Sequence, residues 1–179
     1  MTQPQPLFRA GEIAETARLA LSAAGRDIVV GMTWLEGALG PEWTLDDLLA
    51  HVQAGDATLV SKRSGEAVGL VVVLAHEPER GAACLPFAGI DPAERFRGLG
   101  GEAVLALERR IEERWGTRRF LAPVPEGRGL AVYFWLRLGY GPLTRKDAPW
   151  APVGLNGKPA PGLWMARDAQ VRGGSARGV

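Results

Sequence analysis

The run AVGLVVVLA at Ala67 to Ala75 constrains the chain more than any other segment. It is apolar on both faces of a strand, so it belongs in the middle of a sheet rather than at an edge. Ala57 to Lys62 (ATLVSK) and a turn at Ser64-Gly65 precede it, and together they read as a β-hairpin. Ala82 to Ile90 (AACLPFAGI) is a third strand, and Pro86 and Gly89 inside it predict a bulge or an unpaired stretch.

Helices are marked on either side. Glu12 to Ala24 has apolar residues at helical spacing and stops at Gly25, which predicts a first helix. Thr44 opens TLDDLLAHVQAG with a cap, early acids at Asp46 and Asp47, and a closing Gly55, which predicts a second. From Gly98 to Trp115 the wheel puts Leu99, Ala103, Val104, Leu107, Ile111 and Trp115 on one arc. Glu102, Glu108, Glu112 and Glu113 fall opposite and read as a solvated face. A strand at Thr117 to Val124, a largely buried helix at Leu130 to Leu138, and short strands at Tyr140 to Thr144 and Gly162 to Arg167 complete the order.

Composition narrows the functional classes. The chain has 179 residues, of which 46% are hydrophobic, enough for one domain with a substantial core. Residues 1–168 are expected to form that domain and residues 169–179 a disordered tail. A net charge of +1 gives no global field for nucleic acid or an anionic membrane, so neither is expected as a partner. One cysteine, Cys84, and two separated histidines, His51 and His76, offer no metal-ligand spacing, and no metal is expected. No secretory or membrane-spanning segment is legible, and the expected compartment is the cytoplasm.

The most informative segment is IDPAERFRGLGG, Ile90 to Gly101, between a strand and a strong helix. A helix start leaves N–H groups unpaired and partly positive, and glycines there let a phosphate approach them. Arg95 and Arg97 add charge. No Lys followed by Ser or Thr comes after the glycines, so this is not a nucleoside-triphosphate loop. GLGGEA matches GxGxxA of dinucleotide-binding folds, but Asp91 to Arg97 separate it from the strand, and the next strand ends Leu121-Ala122-Pro123 without a ribose-binding acid. NAD is therefore the weaker alternative.

RFRGLG supplies Arg95, Gly98 and Gly100 in the register [QR]xxGx[GA], and Ile90-Asp91-Pro92 leads into it. In this the chain resembles the GNAT superfamily of acyl-CoA-dependent N-acetyltransferases over about residues 7 to 168. The resemblance implies a mixed α/β fold: a mostly antiparallel sheet of six or seven strands, a splayed central pair, and about four flanking helices. It also implies acetyl-CoA as co-substrate, its pyrophosphate held around Ile90, Arg95, Phe96, Arg97, Gly98, Leu99, Gly100 and Gly101. The acceptor would be a small-molecule or peptide amine, and a homodimer is compatible. A binding module that keeps the cleft without turnover is the alternative.

Gly127 to Tyr140, GRGLAVYFWLRLGY, resembles the family's NxxAxxFYxxxGF at Ala131, Phe134, Gly139 and Tyr140. Trp135 stands where the family often has its general acid, a tyrosine. Tyr133 lies two residues away, about 200° around a helix, and shares a face with Arg137. The acid is thus unassigned, and so is the base, for which Glu77, Asp91, Glu94 and His76 are candidates. Transfer would be direct, with Cys84 a buried small hydrophobe. Trp150, in the Pro- and Gly-rich loop after Asp147, is a candidate wall of the acceptor site.

Overall fold

In the computed structural model, which describes residues 5–40, 43–144, 146–148 and 162–169, the apolar run lies inside an eight-stranded sheet. The chain runs β1 (Ile13–Glu15), β2 (Leu19–Ala23), α1 (Arg26–Val30), α2 (Leu35–Ala38), α3 (Leu45–Ala54), β3 (Ala57–Lys62), β4 (Ala67–Ala75) and β5 (Ala82–Ile90). It continues through α4 (Leu99–Trp115), β6 (Arg119–Pro125), α5 (Gly129–Arg137), β7 (Gly141–Pro142) and β8 (Gly162–Asp168). The strand order is β1-β2-β3-β4-β5-β6-β8-β7, antiparallel except for the β5–β6 pair. That is one strand more than the upper expectation, and five helices rather than about four.

Strand β4 explains the two-layer cover. Its side chains alternate, so Val71 and Val73 enter the core beneath α4 while Leu70, Val72 and Leu74 enter the one beneath α3. All five are buried, each worth about 2 kcal/mol against exposure. Helix α3 forms as its ends predict: Thr44 and Asp47 make a reciprocal capping box and Gly55 closes it in the left-handed region at φ 83°. No helix among the described residues is long and apolar enough to cross a membrane.

Three expectations are corrected. Residues 12–24 are not a helix but the β1–β2 hairpin, in which Thr16 Oγ1 accepts from the Leu19 amide at 2.9 Å. Leu19 and Leu21 are buried while Ala20 and Ser22 are less so, a period of two, and β2 pairs with β3 from Leu19↔Lys62 to Ala23↔Thr58. Pairing with a sheet edge overrides the helical preference of its alanines. The face of α4 read as solvated is not wholly so: Glu108 is 1% exposed. Helix α5 is not largely buried either, since Leu130, Tyr133 and Leu136 are exposed and Trp135 is its one buried residue. The two short helices α1 and α2 had no legible signal. The tail after residue 169 and Trp150 lie outside the described residues.

Candidate functional site

The site begins where two strands part. Strand β5 pairs with β6 in parallel only at Ala82↔Arg119, Ala83↔Phe120 and Cys84↔Leu121. Beyond Cys84, β5 stays on β4 as far as Ile90↔Gly69, and β6 stays on β8 as far as Pro125↔Gly162. The register explains the divergence: Val72 faces Phe87 but Leu74 faces Cys84, so Leu85 and Pro86 bulge opposite Val73. On the other side, Pro123 and Pro125 alternate along β6 and remove two donors from a single edge. Pro86 was legible as a defect, whereas the two prolines of β6 were the signal sequence reading missed.

Asp91 donates its N–H to Val68 O at 2.8 Å, toward β4. Because backbone groups alternate sides along a strand, those of Ile90 and Ala88 face the parting. Asp91 then accepts from the Ala93 amide and starts a 3₁₀ turn, Pro92–Glu94. Phe96 follows with φ 63° and is 95% exposed, and Gly98 takes φ 78° as the N-cap of α4. No side chain caps this helix, so the amides of Leu99, Gly100 and Gly101 lack intrahelical acceptors at its positive end.

The glycines of the loop differ in role. A Cβ at Gly98 would enter space bounded by Arg18 Nη2 at 3.5 Å, with nothing else within 4 Å. At Gly100 it would meet Phe134 at 3.3 Å and Ile90 at 3.4 Å, and at Gly101 it would meet Leu138 at 3.3 Å. Gly98 therefore leaves an open cradle beside a guanidinium, while Gly100 and Gly101 let α5 pack on the first turn of α4.

Two ion networks hold this loop in shape. Arg18 pairs with Glu102 at 2.6 Å and donates to Arg97 O at 2.8 Å. Glu94 takes Lys62 at 2.5 Å and Arg97 at 3.1 Å, so Arg97 is partly neutralised. Arg95 is exposed and makes no ion pair among the described residues. Arg18 was hidden by the mistaken helix, and nothing in the sequence near Lys62 points to it.

Hydrogen bonding by Lys62 lowers the Glu94 carboxyl. Burial would raise that of Glu102, but hydrogen bonds from Thr16 and Arg18 outweigh it and lower it too. Both groups therefore stabilise the fold above their ordinary value of 4.5 and lose that contribution as pH falls below it. Melting temperature is expected to decline on acidification from pH 5 to pH 3, less steeply in Glu102→Gln; equal slopes would refute the lacing.

The candidate bases are scattered. His76 and Glu77 lie in the β4–β5 hairpin, at the end of β5 that stays paired with β6 and about 25 Å along the strand from Ile90. His76 Nδ1 is occupied there, accepting from the Gly81 amide at 3.3 Å. Asp91 is a turn cap and Glu94 is paired. Tyr133 is exposed with the Arg137 guanidinium 5.9 Å from its ring, while Trp135 is buried between Phe134 at 5.1 Å and Tyr140 at 4.7 Å. The buried Cys84 thiol is pushed well up by desolvation, which makes it a poor nucleophile.

On the α1–α3 side, aromatic rings flank the parted half of β5. A Cβ on Gly89 would meet Phe87 Cζ at 2.8 Å and Trp34 Cζ3 at 3.2 Å, so glycine lets both rings lie against the strand. The Trp43 ring stands 6.3 Å from that of Phe87. Arg128, between β6 and α5, reaches Leu39 O at 3.4 Å and links the two banks of the parting.

No protein-family model matches the chain, and no curated protein is significantly similar to it in sequence. Solved structures match it closely in shape. The ribosomal-protein-S18-alanine N-acetyltransferase from Escherichia coli superposes with a TM-score of 0.63 at 16% identity, covering 88% of this chain and 97% of that one. The acetyltransferase of the GNAT family from Bacillus anthracis gives 0.66 at 14% identity, covering 88% and 98%. A GNAT family acetyltransferase from Elizabethkingia anophelis with acetyl-CoA bound gives 0.61 at 11%, covering 86% and 99%. The chain has the fold of the GNAT acetyltransferases.

Proposed function

We propose that this chain is an acetyl-CoA-dependent N-acetyltransferase that moves the acetyl group directly to an amine, its residues 1–168 acting as one domain in the cytoplasm. One observation carries the reading: the parting of β5 from β6 runs straight into a helix N-terminus whose first amides are open beside Arg18. An extended thioester with a pyrophosphate at one end needs a slot between strands and an anion cradle at its mouth. The residues present fit that demand.

In this reading the amides of Leu99, Gly100 and Gly101 receive the pyrophosphate, with Gly98 leaving room and Arg95 offering its unpaired charge. Ile90 and Ala88 supply the backbone groups that face the parting, where an N–H aimed at the thioester carbonyl can be worth about 3 kcal/mol. A departing thiolate, of conjugate pKa about 8.5, tolerates the absence of a tyrosine at position 135. The structural neighbour that acts on a ribosomal protein supports a peptide amine as acceptor, and the aromatic lining at Trp34 and Phe87 suits a small amine as well.

A binding module without turnover is the second reading, favoured by the buried Trp135 and the scattered bases. Incubating the protein with acetyl-CoA and a panel of peptide and small amines, and following thiol release, separates them. Acceleration with at least one amine is expected; tight acetyl-CoA binding with no acceleration would leave the module.

A further inference from the structure

His51 lies in the last turn of α3 and Asp56 just before β3, and His51 Nδ1 lies 3.1 Å from Asp56 Oδ2. A carboxylate offers only lone pairs, so Nδ1 carries the hydrogen in this contact, and in the neutral ring Nε2 is then the accepting nitrogen. No described residue bonds Nε2, and the side chain is 25% exposed. A base whose far nitrogen is held by a carboxylate is the arrangement proton transfer uses.

Its place in the fold points the same way. The His51 ring is 5.4 Å from Trp43, Trp43 is 6.3 Å from Phe87, and Phe87 lies over Gly89 in the parted half of β5. Register sets the reach: Ala57, next to Asp56, faces Val72, and Val72 faces Phe87. Two strand spacings, about 10 Å, separate them. That backbone separation is too long for direct contact, and a proton crossing it needs a chain of more than one water past the Trp43 ring. The charged groups on the elements around His51 are Asp46 and Asp47 on α3, Arg26 and Asp27 on α1, and Asp56 and Lys62 on the β3 side, while β4 and β5 carry none. Asp56 is the one paired with it.

We infer that His51, oriented by Asp56, accepts through water the proton that the acceptor amine gives up on the aromatic face of the sheet. The inference rests on the acetyltransferase reading. As the amine nitrogen bonds to the acetyl carbonyl carbon, the carbon–sulfur bond breaks and its electron pair leaves on sulfur. An alkylammonium acceptor first gives one proton through water to Nε2, which frees the lone pair that attacks; the second proton leaves nitrogen as the carbon–sulfur bond breaks and reaches the thiolate through solvent.

The test compares two acceptors on which the wild type turns over: an alkylamine, protonated at neutral pH, and an arylhydrazine, which is not. His51→Gln should lower kcat/KM for the alkylamine about 100-fold and that for the arylhydrazine far less, with the acetyl-CoA-induced melting shift unchanged. Asp56→Asn should move in the same direction, and it carries the comparison if His51→Gln does not fold. Equal losses with both acceptors, or none, overturn the role of His51 while leaving the acetyltransferase reading intact. A wild type that releases thiol with neither class overturns both.

Discussion

Alanine in place of Glu108 is expected to destabilise the protein by about 3 to 5 kcal/mol, the usual cost of orphaning a buried ion pair. For a chain of this size that is a fall in melting temperature of roughly 6 to 20 °C. Glu108 is 1% exposed; it accepts the Tyr140 hydroxyl at 2.5 Å and pairs with Arg167, which donates to Leu138 O at 2.9 Å. Burial pushes its carboxyl upward, and Tyr140 and Arg167 pull against that. Removing it strands a buried hydroxyl and takes the carboxylate from a largely buried guanidinium, which keeps its bond to Leu138 O.

The network joins α4, the end of α5 and β8, so its loss also loosens the contact of Phe134 on Gly100. Glu108→Gln, which keeps an acceptor for Tyr140, should fall between the alanine variant and the wild type. A drop below about 2 °C for Glu108→Ala would mean the pair is solvated after all.

Gly98→Val is the second large effect, and it falls on binding rather than folding. Its backbone sits at φ 78°, so a side chain there costs about 1 to 2 kcal/mol, a few degrees in melting temperature. The added carbons would fill the space beside Arg18 and cover the first amides of α4. Affinity for acetyl-CoA, measured by equilibrium titration, should weaken at least about 100-fold, the equivalent of losing two charge-assisted hydrogen bonds. An unchanged affinity in the folded variant would move the pyrophosphate elsewhere.

How much of this was legible depended on whether the signal was local. Thr44, Asp47 and Gly55 bound α3 through their own backbone, and β3 to β5 announce themselves because β4 is apolar throughout. The glycine loop could be read because an uncapped helix start is a property of neighbouring residues. Residues 12–24 misled because alanine favours a helix locally while β3, almost 40 residues on, supplies the pairing that wins. Glu108 was misread for a like reason: its partners Tyr140 and Arg167 are 32 and 59 residues away. His51 and Asp56 look like a helix end in the sequence, and only the register of β3, β4 and β5 brings them toward the parted strand.

The most direct measurement is the melting temperature of the wild type with and without acetyl-CoA. At 100 times its dissociation constant a ligand specific to the folded state adds about 2.7 kcal/mol, a rise of roughly 5 to 10 °C here. Acetyl-CoA should produce that rise and NAD should not. No shift at millimolar acetyl-CoA, or an equal shift with NAD, would contradict the assignment of the parted strands and the Gly98 loop to a coenzyme A thioester.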